Sequence, residues 1–247
     1  MKLLAVDAGN TRVKWGLHDG RDWFIRGSFA TADIGTPVAF EHLPAGLAVG
    51  CALISNVAGA DVGAALHGRL YGVAARFESI GSLPAQCGVI NRYSAPDTLG
   101  SDRWAALIAA HAAAHDSPRA QLVIVAGTAL TVDALTADGE FLGGLIVPGL
   151  DLMRQSLHRA TAQLPATKGD YHTFPRSTAD AITAGAIEAA AGAIQRMYTH
   201  FTAHNGEAPH CVGSGGAMLH LAHHLPFPVA VNDHLVLDGL LAISRAG

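Results

Sequence analysis

Cysteine is scarce: the 247 residues hold three, Cys51, Cys87 and Cys211, scattered and odd in number. Without any Cys-x-x-Cys spacing they predict neither a disulfide framework nor a structural zinc site, and they suit a reducing cytoplasm. Basic residues are few as well, 16 Lys and Arg against 20 Asp and Glu, giving a formal charge of −4 with no basic run. A surface that neutralises nucleic-acid phosphates needs more positive charge than this. No apolar run approaches the roughly 18 residues of a membrane span, and no charged region, apolar stretch and cleavage site precede the first strand. These absences predict a soluble, cytoplasmic protein that meets neither nucleic acid nor membrane and takes a small-molecule partner. Apolar residues are plentiful, at 50% of the chain, enough for the cores of two domains of about 120 residues each.

The most informative stretch is residues 2–20. An apolar strand runs into Asp7, then a Gly9-Asn10-Thr11 turn and a second strand carrying Lys14. Gly9 allows close backbone approach to an anion, Asn10 and Thr11 offer donors, and Asp7 supplies a carboxylate suited to Mg²⁺ on nucleotide phosphates. An ordinary hairpin turn has the same pattern. Leu122 to Gly139 repeats the layout, with Gly127-Thr128 at the turn and Asp138-Gly139 matching Asp19-Gly20. Duplication of this kind resembles the superfamily of acetate kinase, sugar kinases, heat-shock chaperones and actin. The resemblance implies an α/β protein of two ribonuclease H-like domains, each a mixed five-stranded sheet with flanking helices, with ATP in a cleft between them.

The pattern along the chain fits that class. Val13–His18 and Trp23–Ala30 extend the first strand into a meander, Pro37–Leu43 reads as a short helix, and Cys51–Val57, Ala60–Leu70 and Val73–Glu78 as strand, helix and strand. Residues 80–100 read as a loop across the cleft. The second domain is expected to open at residue 101, dividing the chain into 1–100 and 101–247. It would contain a helix from Asp102, strands at Leu122–Val125, Leu130–Leu135 and Phe141–Val147, and helices near Leu150–Arg159 and Thr178–His204. A strand at His210–Gly213, a helix after Gly216, a strand at Val229–Val231 and a helix from Leu235 complete it. The Ala-rich stretch 181–194 suits either an oligomer seam or an internal helix.

Gly100-Ser101-Asp102-Arg103, with Tyr93 nine residues before the aspartate, narrows the family. Together with the two turns, Gly143-Gly144, Pro148-Gly149, Ser177-Thr178 and Gly213 to Gly216, it resembles the type III pantothenate kinases over nearly the whole chain. Phosphoryl transfer to an alcohol needs a carboxylate that orients the hydroxyl and takes its proton, and Asp102 suits that role. An acid in a helix's first turn also serves the dipole alone. Arg103 can hold a carboxylate or phosphate, or form a local ion pair.

The resemblance implies that pantothenate meets Tyr93, Gly100, Ser101, Asp102, Arg103 and Thr178, the last across a homodimer interface or simply as a helix cap. It implies that Asp7, Gly9, Asn10, Thr11, Lys14, Gly127, Thr128, Thr131, Gly215 and Gly216 bind ATP, that Gly213 passes the adenosine, and that Asp7 holds Mg²⁺ directly or through water. A monovalent cation, K⁺ or NH₄⁺, is implied too. However, relatives carry an acid two positions before the second Gly-Thr where this chain has Val125, with Asp133 as a substitute or a bystander. His220, His223 and His224 share a helical face but lack acidic or thiol partners, and read as solvated side chains rather than a metal site. Trp15 and Trp104 read as core. Two other functions fit less well: an accessory transcription factor, which has no need of Asp7, Asp102 and Arg103, and a sugar or N-acetylhexosamine kinase, generally a longer chain.

Overall fold

A computed structural model describes residues 2–44, 46–161, 164 and 168–246. The chain forms two compact units, Met1–Asp116 with His234–Gly247, and Ser117–Asp233.

The first unit opens with the meander β1 (Leu3–Ala8), β2 (Arg12–His18) and β3 (Trp23–Ala30), followed by β4 (Cys51–Asn56), α1 (Ala60–Leu70) and β5 (Phe77–Ser79). A two-residue β6 (Ala85–Gln86) pairs with β7 (Val89–Asn91), and α2 (Ser101–Ala113) follows. The main sheet has the order β3-β2-β1-β4-β5. β1 to β3 are antiparallel, while β4 and β5 add in parallel. Leu4, Val6, Val13, Trp15, Leu17, Ala52 and Ile54 alternate into one core against Leu66 and Leu70 of α1. The intervening residues Leu3, Ala5, Cys51 and Leu53 are buried as well, so β1 and β4 are covered on both faces.

The second unit contains β8 (Gln121–Ala126), β9 (Ala129–Leu135), β10 (Glu140–Pro148), α3 (Leu150–Ala160), α4 (Thr178–Asn205), β11 (His210–Ser214), α5 (Met218–Ala222) and β12 (Val229–Val231). Its strands run β12-β11-β8-β9-β10. β8 to β10 are antiparallel, and β11 and β12 are parallel additions. Read from the other edge, this is the arrangement of the first sheet, so the repeat seen in the sequence is a repeat of topology. Leu122, Ile124, Leu130 and Val132 pack against Ile187, Ala190 and Ile194 of α4.

Three expectations are corrected. Pro37–Leu43 forms turns, because Phe40 has φ +59°, outside any right-handed helix, and its ring packs on Trp15 and Phe29. Only Phe77–Ser79 of the expected strand 73–78 pairs regularly, since Gly72 at φ +81° turns the chain and leaves Ala74 a single bridge to Val49. Residues 80–100 are a hydrogen-bonded structure containing β6, β7 and a 3₁₀ turn at Pro96–Thr98.

The compact units also divide elsewhere than between residues 100 and 101. α2 belongs to the first unit, and α6 (Leu235–Ala246) returns to it, packing on α2, β1, β2 and β4. Gly239 makes this approach possible, because a Cβ there would overlap the backbone of Ala105. Both helices are rich in apolar residues around much of their circumference, as burial between a sheet and a second helix demands. Trp15 and Trp104 are core residues.

Candidate active site

Asp7 lies near the end of β1, in register with Lys14 on β2 and Ser55 on β4. Burial, then the Asp102 carboxylate, raise its pKa from 3.8 to about 7, while Lys14 acts in the opposite direction. A carboxylate whose proton affinity is raised by burial and by a second carboxylate sits in a site that favours a cation. Asp7 is thus a fitting ligand for Mg²⁺.

Asp102 stands in the first turn of α2, whose N-cap is Gly100 with no side-chain cap. Its Oδ1 accepts from the Arg103 backbone N–H at 2.8 Å. A Cβ on residue 100 would come within 2.6 Å of that oxygen, so glycine leaves the carboxylate its place. Burial raises the Asp102 pKa, opposed by the Arg103 N–H and guanidinium. Arg103 is only 5% exposed. Its Nη1 donates to the Tyr93 hydroxyl at 3.0 Å, with Cζ 5.7 Å from the ring centroid.

Tyr93 is held by the segment the sequence marks as irregular. Its N–H donates to Asn91 Oδ1 at 3.1 Å, and Asn91 Nδ2 donates to the Pro96 carbonyl at 3.1 Å. The Ser82 hydroxyl reaches the Pro96 and Leu99 carbonyls at 2.6 and 2.8 Å. Ser101 faces inward, its hydroxyl 2.9 Å from that of Ser55 in a buried pair. What Ser101 can offer a substrate is therefore its backbone.

At the first turn, Gly9 N–H donates to the Arg12 carbonyl at 3.1 Å, and Asn10 and Thr11 are exposed. Sequence reasoning misses Thr31, the residue after β3. Its hydroxyl donates to the Gly9 carbonyl at 2.7 Å and its N–H to the Thr11 carbonyl at 3.0 Å. Its only sequence signal is its place directly after the third strand of the meander.

The second turn is one residue shorter: Ala126 pairs with Leu130, whereas Ala8 pairs with Val13. Gly127 N–H donates to the Ala129 carbonyl at 2.9 Å, and Gly149, at the start of α3, donates to the Thr128 carbonyl at 2.9 Å. A side chain at Gly149 would strike the Gly127 and Thr128 carbonyls. Gly215, at φ +100°, presses on the Ala126 backbone, where no other residue fits, whereas Gly216 faces open space. Gly213 is closed off by Met218 and Val229, so its role is packing.

The two turns are not equivalent in charge. Val125 occupies the place corresponding to Asp7, paired with Thr131 and Ser214 where Asp7 pairs with Lys14 and Ser55. Thr131 Oγ1 is buried and finds no hydrogen-bond partner among the described residues. Asp133 is buried on β9, in register with Gly144, where a Cβ would strike its carboxylate.

Asp7, Gly9, Asn10, Thr11, Lys14, Tyr93 and Gly100 to Arg103 belong to the first unit, and Gly127, Thr128, Thr131, Gly215 and Gly216 to the second. Thr178 is the exposed first residue of α4, and the N-cap is Ser177, whose hydroxyl accepts from the Asp180 N–H at 3.1 Å. His220 and His224 meet edge to face, and His224 meets Tyr171 in the same way. Among the described residues there is no group of three or more His, Cys, Asp or Glu that could hold a metal ion.

Residues 3–200 match the family model described as type III pantothenate kinase. The chain is 49% identical over 244 residues to the type III pantothenate kinase of Nitrosospira multiformis, covering 98% of this chain and 91% of that one. It is 42% identical over 241 residues to that of Dechloromonas aromatica, covering 96% and 97%. Among solved structures, a Campylobacter jejuni protein described provisionally as a Baf family transcriptional activator aligns with a TM-score of 0.60 at 19% identity, covering 98% and 97%. A glucokinase from an Antarctic psychrotroph aligns with a TM-score of 0.50 at 11% identity, covering 99% of each chain. Both likenesses concern the fold.

Proposed function

This chain belongs to the type III pantothenate kinase family and phosphorylates pantothenate with ATP, opening coenzyme A biosynthesis, and we propose that Asp102 is the base of that reaction. The observation that carries the assignment is the placement of Asp102: a half-buried carboxylate at the start of α2, its pKa raised by burial, adjacent to Arg103 and close enough to Asp7 for its charge to raise that residue's pKa. A carboxylate whose proton affinity is raised by burial accepts a hydroxyl proton more readily than a fully solvated one.

Arg103, held by Tyr93, presents a planar cation suited to the pantothenate carboxylate. Gly100 and the Ser101 backbone border Asp102, and Thr178 adds a hydroxyl for pantothenate. Asp7, with Lys14 beside it, orients the phosphates of ATP, and Gly9, Asn10 and Thr11 provide the turn that meets them. In the second unit we assign Gly127, Thr128, Thr131, Gly215 and Gly216 to ATP. Mg²⁺, held by Asp7 directly or through water, supplies charge neutralisation on the phosphates when bound. What the protein contributes is position and a prepared electrostatic field. Val125 does not fit an acid-ligated monovalent cation.

We assign the protein to the cytoplasm as a homodimer without nucleic-acid or membrane partners. No helix among the described residues is long and apolar enough to cross a membrane. Along α4, Thr178, Ala181, Gly185, Ala189 and Gly192 are exposed at helical spacing, a face of small residues that a second copy could approach closely. Light scattering tests the dimer. The function is tested by ADP release on adding pantothenate: Asp102→Asn is expected to lower kcat by about 100-fold or more with ATP binding retained, and turnover at the parental rate would remove the proposed base.

A further inference from the structure

Thr31 reaches the first phosphate turn from outside it. Its hydroxyl, on a residue 7% exposed, donates to the Gly9 carbonyl at 2.7 Å, and its N–H donates to the Thr11 carbonyl at 3.0 Å. No described peptide bond is cis. In a planar trans peptide the carbonyl and the following N–H point in opposite directions. Drawing the Gly9 carbonyl toward Thr31 therefore turns the Asn10 N–H away from it. Asn10 itself is exposed, and among the described residues its N–H finds no hydrogen-bond acceptor. The result is a single amide donor with a fixed direction at the tip of the turn.

The second unit provides an internal comparison. There the residue following the third strand is Gly149, whose N–H donates to the Thr128 carbonyl at 2.9 Å, as the Thr31 N–H donates to Thr11. The backbone half of the brace is thus common to both units. The hydroxyl half is not, because any side chain at Gly149 would strike the Gly127 carbonyl. The hydroxyl of Thr31 is an addition to the turn that carries Asp7.

We propose that Thr31 is a positioning residue for ATP, fixing the Asn10 amide as a phosphate donor through its hydroxyl. The inference rests on the reading of the first turn as a phosphate-binding hairpin. It makes Thr31 act on the nucleotide alone, since Tyr93, Asp102 and Arg103 lie on other elements.

The test is steady-state kinetics of the full-length protein with Thr31→Val, which keeps shape and loses the hydroxyl, and Thr31→Ser, which restores the donor. Thr31→Val is expected to raise the KM for ATP by about five- to tenfold with the KM for pantothenate unchanged, and Thr31→Ser to return it to the parental value. Asn10→Pro, which deletes the amide, is expected to raise the ATP KM and to abolish any further effect of Thr31→Val. If Asn10→Pro raises the ATP KM while Thr31→Val only lowers the thermal midpoint, Thr31 is a structural brace and the inference fails, with the hairpin reading intact. If neither change moves the ATP KM, the hairpin reading itself fails. Failure of Thr31→Ser to restore the KM would also overturn the proposal.

Discussion

Replacing Asp7 by asparagine should stabilise the ligand-free protein while removing its use of ATP. Folding lifts the Asp7 pKa from 3.8 to about 7, through burial first and the Asp102 carboxylate second. Between those two values the native state holds a proton that the unfolded chain has released. Stability from this group is therefore complete below the unfolded value and is lost as pH rises through the folded one. From about pH 5 to above pH 7 the loss amounts to two pKa units at 1.36 kcal/mol each, roughly 2.7 kcal/mol. Asp7 is partly accessible, so water screens some of it and about 1–2 kcal/mol is the expected remainder. Asparagine keeps the shape and cannot ionise. The difference in thermal midpoint between Asp7→Asn and the parent should grow by about 2–8 °C over that pH interval and level off above it. Differential scanning fluorimetry of the ligand-free proteins across the pH series measures this, with ADP release as the companion assay. Midpoints that run parallel at every pH would refute the claim that Asp7 is held against its preferred charge state.

Other outcomes follow from the same geometry. Gly239→Ala places a methyl group against the Ala105 backbone; overpacking of about 1–3 kcal/mol exceeds the helix-propensity gain of about 1 kcal/mol, so the thermal midpoint should fall. Arg103→Lys keeps the charge but loses the fork that joins Tyr93, and should raise the pantothenate KM by about tenfold or more while the ATP KM holds; equal effects on both would contradict the assignment. Because Val125 offers no carboxylate at the second turn, exchanging potassium for sodium should leave the initial rate unchanged, and a large loss in sodium would point to Asp133 as the supplying carboxylate. Band-shift experiments should show no affinity for DNA, in keeping with a net charge of −4.

Much of the fold was legible because its signals are local. The alternation through Val13, Trp15 and Leu17, the Asp19-Gly20 and Asp138-Gly139 turns, and the repeated strand-Gly-turn-strand pattern all act within a few residues. The path of the chain between Pro37 and Leu43 was not, since Phe40 takes a left-handed conformation for the sake of its ring contacts with Trp15 and Phe29. The return of α6 to the first unit depends on packing between Gly239 and Ala105, more than a hundred positions apart, and no periodicity announces it. At the site, the sequence offers Asp7, Asp102 and Arg103 as chemistry, whereas the direction of Ser101 toward Ser55 and the brace from Thr31 are tertiary facts. The scaffold beneath Tyr93 falls between these cases: its Gly, Pro, Ser and Asn composition signals a loop, and the same Ser82 and Asn91 supply the hydrogen bonds that hold it rigid.

The embrace of α2 by α6 sets a schedule for biosynthesis. While the ribosome is still adding Ser117–Asp233, the segment bearing Asp102 has already emerged but lacks its companion, so its apolar side stays open to chaperones and proteases until residues 235–246 arrive. The uninterrupted second unit faces no such delay, and protease protection of stalled nascent chains should therefore show it maturing before the half that was translated first.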